Sequence, residues 1–143
     1  MILADVNVLA YAHRTDAVHH REFLGWLNDV ISGDSPFAVS EFVLSSFLRI
    51  VTHPKIFNPP SSLDKAVQFA DLLRSHSHAI LIQPGARHWG IFTRLCRQAK
   101  AKGNLVPDAY LAALAIESGS DFMTTDKDYS RFEGLHWRHP LES

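Results

Sequence analysis

The chain has 143 residues, 46% of them hydrophobic and 20% charged, with a formal net charge of −1; these are the proportions of one ordinary globular domain spanning residues 1–143. Near-neutral charge excludes a protein that coats nucleic acid by charge alone. A single cysteine, Cys96, excludes an internal disulfide and any Cys-x-x-Cys metal knuckle. No apolar run is long enough for a signal peptide or a membrane span, so a cytoplasmic protein with no membrane partner is expected.

Short apolar runs alternate with longer amphipathic stretches, the pattern of an α/β fold with a central, mainly parallel sheet of four to five strands flanked by helices. Ile2–Ala4 reads as a buried first strand, followed by a helix capped by Asn7 that runs through Tyr11. A second helix spans about His20 to Ile31 and ends before Gly33. Phe37–Val39 is the second strand, and the helix after it runs from Glu41 to about Thr52, where His53-Pro54 stops it. Ser61 and Asp64 resemble a capping box opening a helix to about Ser75, with Leu63, Ala66, Val67, Ala70 and Leu73 on its apolar face. Ala79–Ile82 is a third strand. A helix from Arg87 to Lys102, closed by Gly103, carries Phe92, Leu95, Cys96 and Ala99 on one side and Arg87, Arg94 and Arg97 on the other. Pro107-Asp108 opens an Ala-rich helix, Asp108–Glu117, that Gly119 ends. Phe122–Thr124 is a fourth strand and Leu135–Arg138 a fifth, at the edge.

Asp5, Glu41 and Asp126 each follow a strand, and in an open parallel sheet ligands bind outside the carboxyl ends of the strands. Asp108 joins them if the start of its helix faces the same edge. Taken singly, each acid has a local explanation. Asp108 and Glu41 suit the positive end of a helix, Asp126 suits a turn, and Asn7 suits a cap. Asp5 is harder to explain locally, because an acid ending a buried strand needs a partner. Taken together the local explanations weaken, since two carboxylates about 4 Å apart repel by roughly 4 kcal/mol at an effective dielectric near 20. An oxygen-only set of this kind suits a hard cation such as Mg²⁺ or Mn²⁺, which assists phosphodiester cleavage as one ion or two. Histidine offers no comparable cluster: the nine are scattered along the chain.

At these residues the sequence resembles the PIN-domain family, and within it the VapC-type toxins of bacterial toxin–antitoxin pairs. The similarity runs from Ile2 to Leu141 and rests on Ile2–Leu9, Ser40-Glu41-Phe42, Asn104–Ala113, Thr124–Tyr129 and Phe132–Trp137 taken as an ordered set. It implies a three-layer fold, Mg²⁺- or Mn²⁺-dependent endonucleolytic cleavage of RNA, a small antitoxin that occludes the site, and a homodimer. Asp5, Glu41, Asp108 and Asp126 match the family's acidic quartet. Asp5 and Asp108 would be the principal metal ligands, with Glu41 and Asp126 completing the shell directly or through water. Asn7 matches the supporting polar residue and Thr124 the hydroxyl beside the fourth acid. Asp128 competes with Asp126 for that fourth place; Asp126 is preferred because it follows the strand directly. One departure from the family pattern is Tyr129, where phenylalanine is more common.

Two rivals remain. A phosphatase of the haloacid dehalogenase type also begins with a strand ending in Asp, but it wants a second Asp where this chain has Asn7. A PIN-like protein that binds RNA or a partner without cutting is the other, and the intact quartet argues against it. Arg87, Arg94 and Arg97 are candidate RNA contacts, although a solvated helix face explains them as well. The helix after Glu41 is apolar nearly all round, with Phe42, Val43, Leu44, Phe47, Leu48, Ile50 and Val51. With Phe23, Trp26, Ile56 and Phe57 it suggests a groove for an antitoxin segment.

Overall fold

The apolar triplets read from the sequence are too short to stand alone, and they pair side by side into one sheet. In the computed structural model, which describes residues 1–142, five strands and six helices follow one another. They are β1 (Ile2–Ala4), α1 (Val6–His13), α2 (His20–Ser32), β2 (Phe37–Val39), α3 (Glu41–Val51), α4 (Leu63–Arg74), β3 (Ala79–Leu81), α5 (His88–Ala99), α6 (Leu105–Ser118), β4 (Asp121–Met123) and β5 (Trp137–Arg138). A 3₁₀ turn, Lys127–Arg131, joins β4 to β5.

The sheet order is β3-β2-β1-β4-β5 and every pairing is parallel. Leu3 on the central strand stands opposite Ala38 and Phe122, and all three are buried. The chain steps from β1 outward to β3, then returns past β1 to build β4 and β5 on the other side. Right-handed crossovers therefore put α1–α4 on one face and α5–α6 on the other, a three-layer α/β arrangement. The packing agrees, for α1 lies on α2 and α3, α3 on α4, and α5 on α6. In α6 the small residues Ala109, Ala112, Ala113 and Ala115 are all buried beside Leu111 and Leu114. A helix apolar all round is one covered on both sides, here by the sheet and by α5.

Several local expectations are corrected. Asp5, not Asn7, caps α1: its Oδ1 accepts the Val6 N–H at 2.7 Å, because the strand runs into the helix with no residue to spare. Asn7 sits inside the first turn. Ser62, not Ser61, caps α4 by accepting the Lys65 N–H at 3.2 Å, which turns Leu63 outward to 61% exposure. The Ser61 hydroxyl instead meets His13 Nε2 at 3.0 Å and accepts from Arg14 at 3.1 Å, tying the preceding loop to the end of α1. Helix α5 stops at Ala99 with Lys100 left-handed, and Gly103 serves the turn into α6. Helix α6 then begins at Leu105, three residues before Asp108, with Pro107 in the first turn, where its missing N–H costs nothing.

The expected antitoxin groove is also not present as drawn. Much of α3's apolar surface is covered because α1 packs on one side of it and α4 on another, burying Val43, Leu44, Phe47 and Val51, while Phe42, 38% exposed, and Ile50 stay open on its remaining side. Phe23 is buried, and Phe57 packs on the core beneath the Arg14 guanidinium, 4.7 Å from its ring centre. Trp26 lines a small apolar void of about 30 Å³ between the helices and the sheet. Ile56 remains exposed, at 50%.

Candidate active site

Strand order reverses between β1 and β4, and at such a switch point the connections diverge and leave a crevice at the carboxyl edge. Asp5 leaves β1 there and Thr124 leaves β4. The cleft is lined by Asp5, Asn7, Phe42, Arg49, Asn104, Asp108, Asp126 and Tyr129, among others.

Asp5 is the best held of the acids. Only 5% exposed, it accepts the Val6 N–H through Oδ1 and the Thr124 hydroxyl through Oδ2, both at 2.7 Å. Burial pushes its pKa up to about 6 against those two hydrogen bonds, and the nearby Asp108 and Asp126 push in the same direction. Thr124 is fully buried, and its Oγ1 also accepts the Asp126 N–H at 3.0 Å, so one hydroxyl ties two of the acids together. Asp108 projects from the first turn of α6 and takes a hydrogen bond from the Tyr129 hydroxyl at 3.2 Å. Half-burial raises its pKa too, with Asp126 and Asp128 adding to the rise and the Tyr129 bond opposing it. Asp126 caps the 3₁₀ turn by accepting the Asp128 N–H at 2.9 Å.

The two remaining acids stand apart. Glu41, the first residue of α3, is exposed and accepts from Arg74 Nε at 3.0 Å, so of the four expected carboxylates three line the cleft and Glu41 does not. Its neighbour Phe42 lines the cleft, while the Glu41 carboxylate itself is engaged by Arg74. Asp128 is exposed and lies 3.9 Å from Arg131, outside the cleft. Among the described residues no three acids or histidines stand close enough to hold one ion together. The donor set nevertheless fits a hard cation: every candidate ligand is a carboxylate oxygen, and two of the acids carry raised pKa values that a cation between them would relieve.

The arginine trio divides. Arg87 is drawn to the far end of α6, where its backbone N–H donates to Glu117 Oε2 at 3.0 Å and its guanidinium to the Glu117 carbonyl at 3.2 Å. Arg94 and Arg97 are exposed on α5. The cation that does line the cleft is Arg49, which sequence reasoning passed over; Asn104 and Tyr129, noted there only within the matched motifs, line it too. Its signal was available, since Ser46 and Arg49 are the polar interruptions of an otherwise apolar helix on the side of Phe42.

The PIN domain profile matches residues 2–135. A VapC ribonuclease of Mycobacterium bovis is 39% identical over 142 residues, covering 99% of this chain and 97% of its own. Ribonuclease VapC25 of Mycobacterium tuberculosis is also 39% identical, covering 99% and 100%. Among solved structures, that of VapBC2 from Rickettsia felis bound to a promoter DNA fragment includes a chain that superposes with a TM-score of 0.71. Its identity is 17%, with 97% of this chain and 98% of that one covered. Mycobacterium tuberculosis VapC20, a toxin cleaving the sarcin-ricin loop, gives 0.66 at 17% identity, with coverages of 94% and 98%. Ordered motifs, parallel three-layer fold and full-length similarity agree: the chain belongs to the PIN-domain family, in its VapC branch.

Proposed function

We propose that the chain is a Mg²⁺-dependent endoribonuclease, with Mn²⁺ an alternative cation, and that it acts in the cytoplasm as the toxin of a toxin–antitoxin pair. The observation that carries this reading is the gathering of Asp5, Asp108 and Asp126 on one cleft at the sheet's switch point. The ribonuclease names of the 39%-identical relatives support the substrate class, and the VapBC assembly of the Rickettsia felis neighbour supports a small antitoxin as partner; a homodimer is the further expectation of the family resemblance.

Asp5 and Asp108 would hold the metal. When bound, it supplies positive charge to the phosphate and lowers the pKa of water. Asp126 faces the cleft and would take the proton of a water attacking phosphorus, while the bond to the leaving ribose oxygen breaks and that oxygen takes a proton from solvent. Glu41 would share this role once released from Arg74; an exposed ion pair is worth at most about 1 kcal/mol and opens readily. Arg49 would pair with a phosphate, and Asn7 and Asn104 offer amide groups for the sugar or backbone. Thr124 keeps Asp5 aimed.

The test is cleavage of a single-stranded RNA oligonucleotide by the purified chain. Mg²⁺ should support cleavage, EDTA should stop it, and Asp5→Asn or Asp108→Asn should each lower the rate about a hundredfold or more. Cleavage that survives EDTA or both substitutions would overturn the reading. One observation favours a rival that binds without cutting, namely Glu41 held away by Arg74. Arg74→Ala separates the two: a cutting enzyme keeps its activity or gains some, and a binder stays silent.

A further inference from the structure

Tyr129 sits beneath the cleft with 3% of its surface exposed. Its ring packs on Phe122 at 4.7 Å and on Phe132 at 5.8 Å between centres, and its N–H is held by the Asp126 carbonyl. Those contacts need only a phenyl ring. The hydroxyl is an addition, and it reaches Asp108 Oδ1 at 3.2 Å, the one side-chain hydrogen bond that Asp108 receives among the described residues. Thr124 stands to Asp5 in a similar relation, its buried hydroxyl holding Oδ2 while the Val6 N–H holds Oδ1.

We propose that Tyr129 is a positioning residue that fixes the Asp108 carboxylate, with Oδ1 engaged and Oδ2 left for the cation. The inference rests on the metal-dependent reading given above. A carboxylate on the first turn of a helix turns freely about its own bonds. Locking one oxygen removes that freedom before the cation arrives, so less of the binding free energy is lost to ordering. A simpler account is that a buried phenol takes whatever acceptor is near. The two differ in what loss of the hydroxyl does to the cation.

Mn²⁺ binding to the metal-free protein, followed by the loss of the free-ion EPR signal, reads this without any turnover. Tyr129→Phe keeps the ring and should weaken Mn²⁺ about tenfold or more, the usual effect of removing a hydrogen bond behind a ligand. Leu27→Ala, a buried truncation on α2, none of whose residues lines the cleft, should lower the melting temperature yet leave Mn²⁺ affinity as it was. An affinity in Tyr129→Phe within twofold of wild type would overturn the proposal while leaving the metal site standing; a wild-type protein that takes up no Mn²⁺ would overturn both. Should Tyr129→Phe fold poorly, Tyr11→Phe with Tyr110→Phe leaves Tyr129 as the last tyrosine. Mg²⁺ should then shift its ultraviolet absorbance, and an unmoved spectrum counts against the proposal.

Discussion

Asp5 closes β1, caps α1 and anchors the hydroxyl of Thr124 with a single side chain. That economy has an electrostatic cost, because the carboxylate is buried near Asp108 and Asp126. In the unfolded chain it protonates near pH 3.8, and in the folded, metal-free chain near 6. The folded state therefore binds more protons between those values. The stability this protonation lends is present in full below about pH 4 and is lost as pH rises through 6. The loss has a ceiling of about 3 kcal/mol. Asn keeps the shape without the charge, though it accepts with one oxygen only and so recovers part of the sum. In EDTA at pH 8, Asp5→Asn should melt about 5 °C above wild type, and the lead should vanish near pH 4. Mg²⁺ should then reverse the order by stabilising wild type alone. Thermal scans across that range decide the matter: a lead that stays constant with pH would mean the charge of Asp5 is not what destabilises the metal-free fold.

At the scale of elements, α5 depends on a residue outside itself. Arg87 precedes it without any side-chain cap. The Glu117 carboxylate, near the end of α6, accepts the N–H groups of Gly85 and Arg87 at 2.7 and 3.0 Å instead. A Cβ at position 85 would stand 2.8 Å from Glu117 Oε2, so Gly85→Ala must push the carboxylate away. Gly85→Ala and Glu117→Ala should each cost about 1 kcal/mol, as a lost cap does. The double variant should cost little more than either alone, and full additivity in denaturant titrations would show that the two sites act separately. No spacing rule could have revealed this clamp, which joins positions 32 residues apart. What the sequence did make legible was local: the strands and helix spans followed from apolar periodicity, and the convergence of Asp5, Asp108 and Asp126 followed from parallel topology. Cap positions slipped by one to three residues at Asn7, Ser61 and Asp108, because several polar residues compete at each helix start and packing chooses among them. Glu41 was misjudged for a different reason. Its place after β2 is as expected, but its rotamer is set by Arg74 on α4, a tertiary contact that periodicity cannot show. Tyr129 entered as a departure from a family pattern, and only the packed ring revealed where its hydroxyl points.

For the whole molecule, a net charge of −1 means that attraction to RNA must be local rather than global. The cleft itself is acidic, with Arg49 the cation in its lining. Helices α5 and α6 are joined by a short turn and run back along one another, so the Arg97 end of α5 lies near the start of α6, where Asp108 projects, while Arg87 lies at the opposite end with Glu117. Backbone contacts with a single strand should therefore fade along α5 from Arg97 toward Arg87. Each phosphate neutralised adds about 0.7 to the slope of log affinity against log salt for single strands. In the Asp108→Asn background, where the RNA stays whole, Arg49→Ala should lower that slope by about 0.7. Arg94→Ala with Arg97→Ala should lower it further if the strand leaves the cleft over α5. Arg87→Ala should leave the slope unchanged and instead lower the melting temperature, since its guanidinium is engaged with the Glu117 carbonyl. Fluorescence anisotropy at several salt concentrations measures all three. A slope that falls for Arg87→Ala as much as for Arg49→Ala would put the RNA along the full outer face of α5, and an unchanged slope in Arg49→Ala would remove Arg49 from the path of the strand.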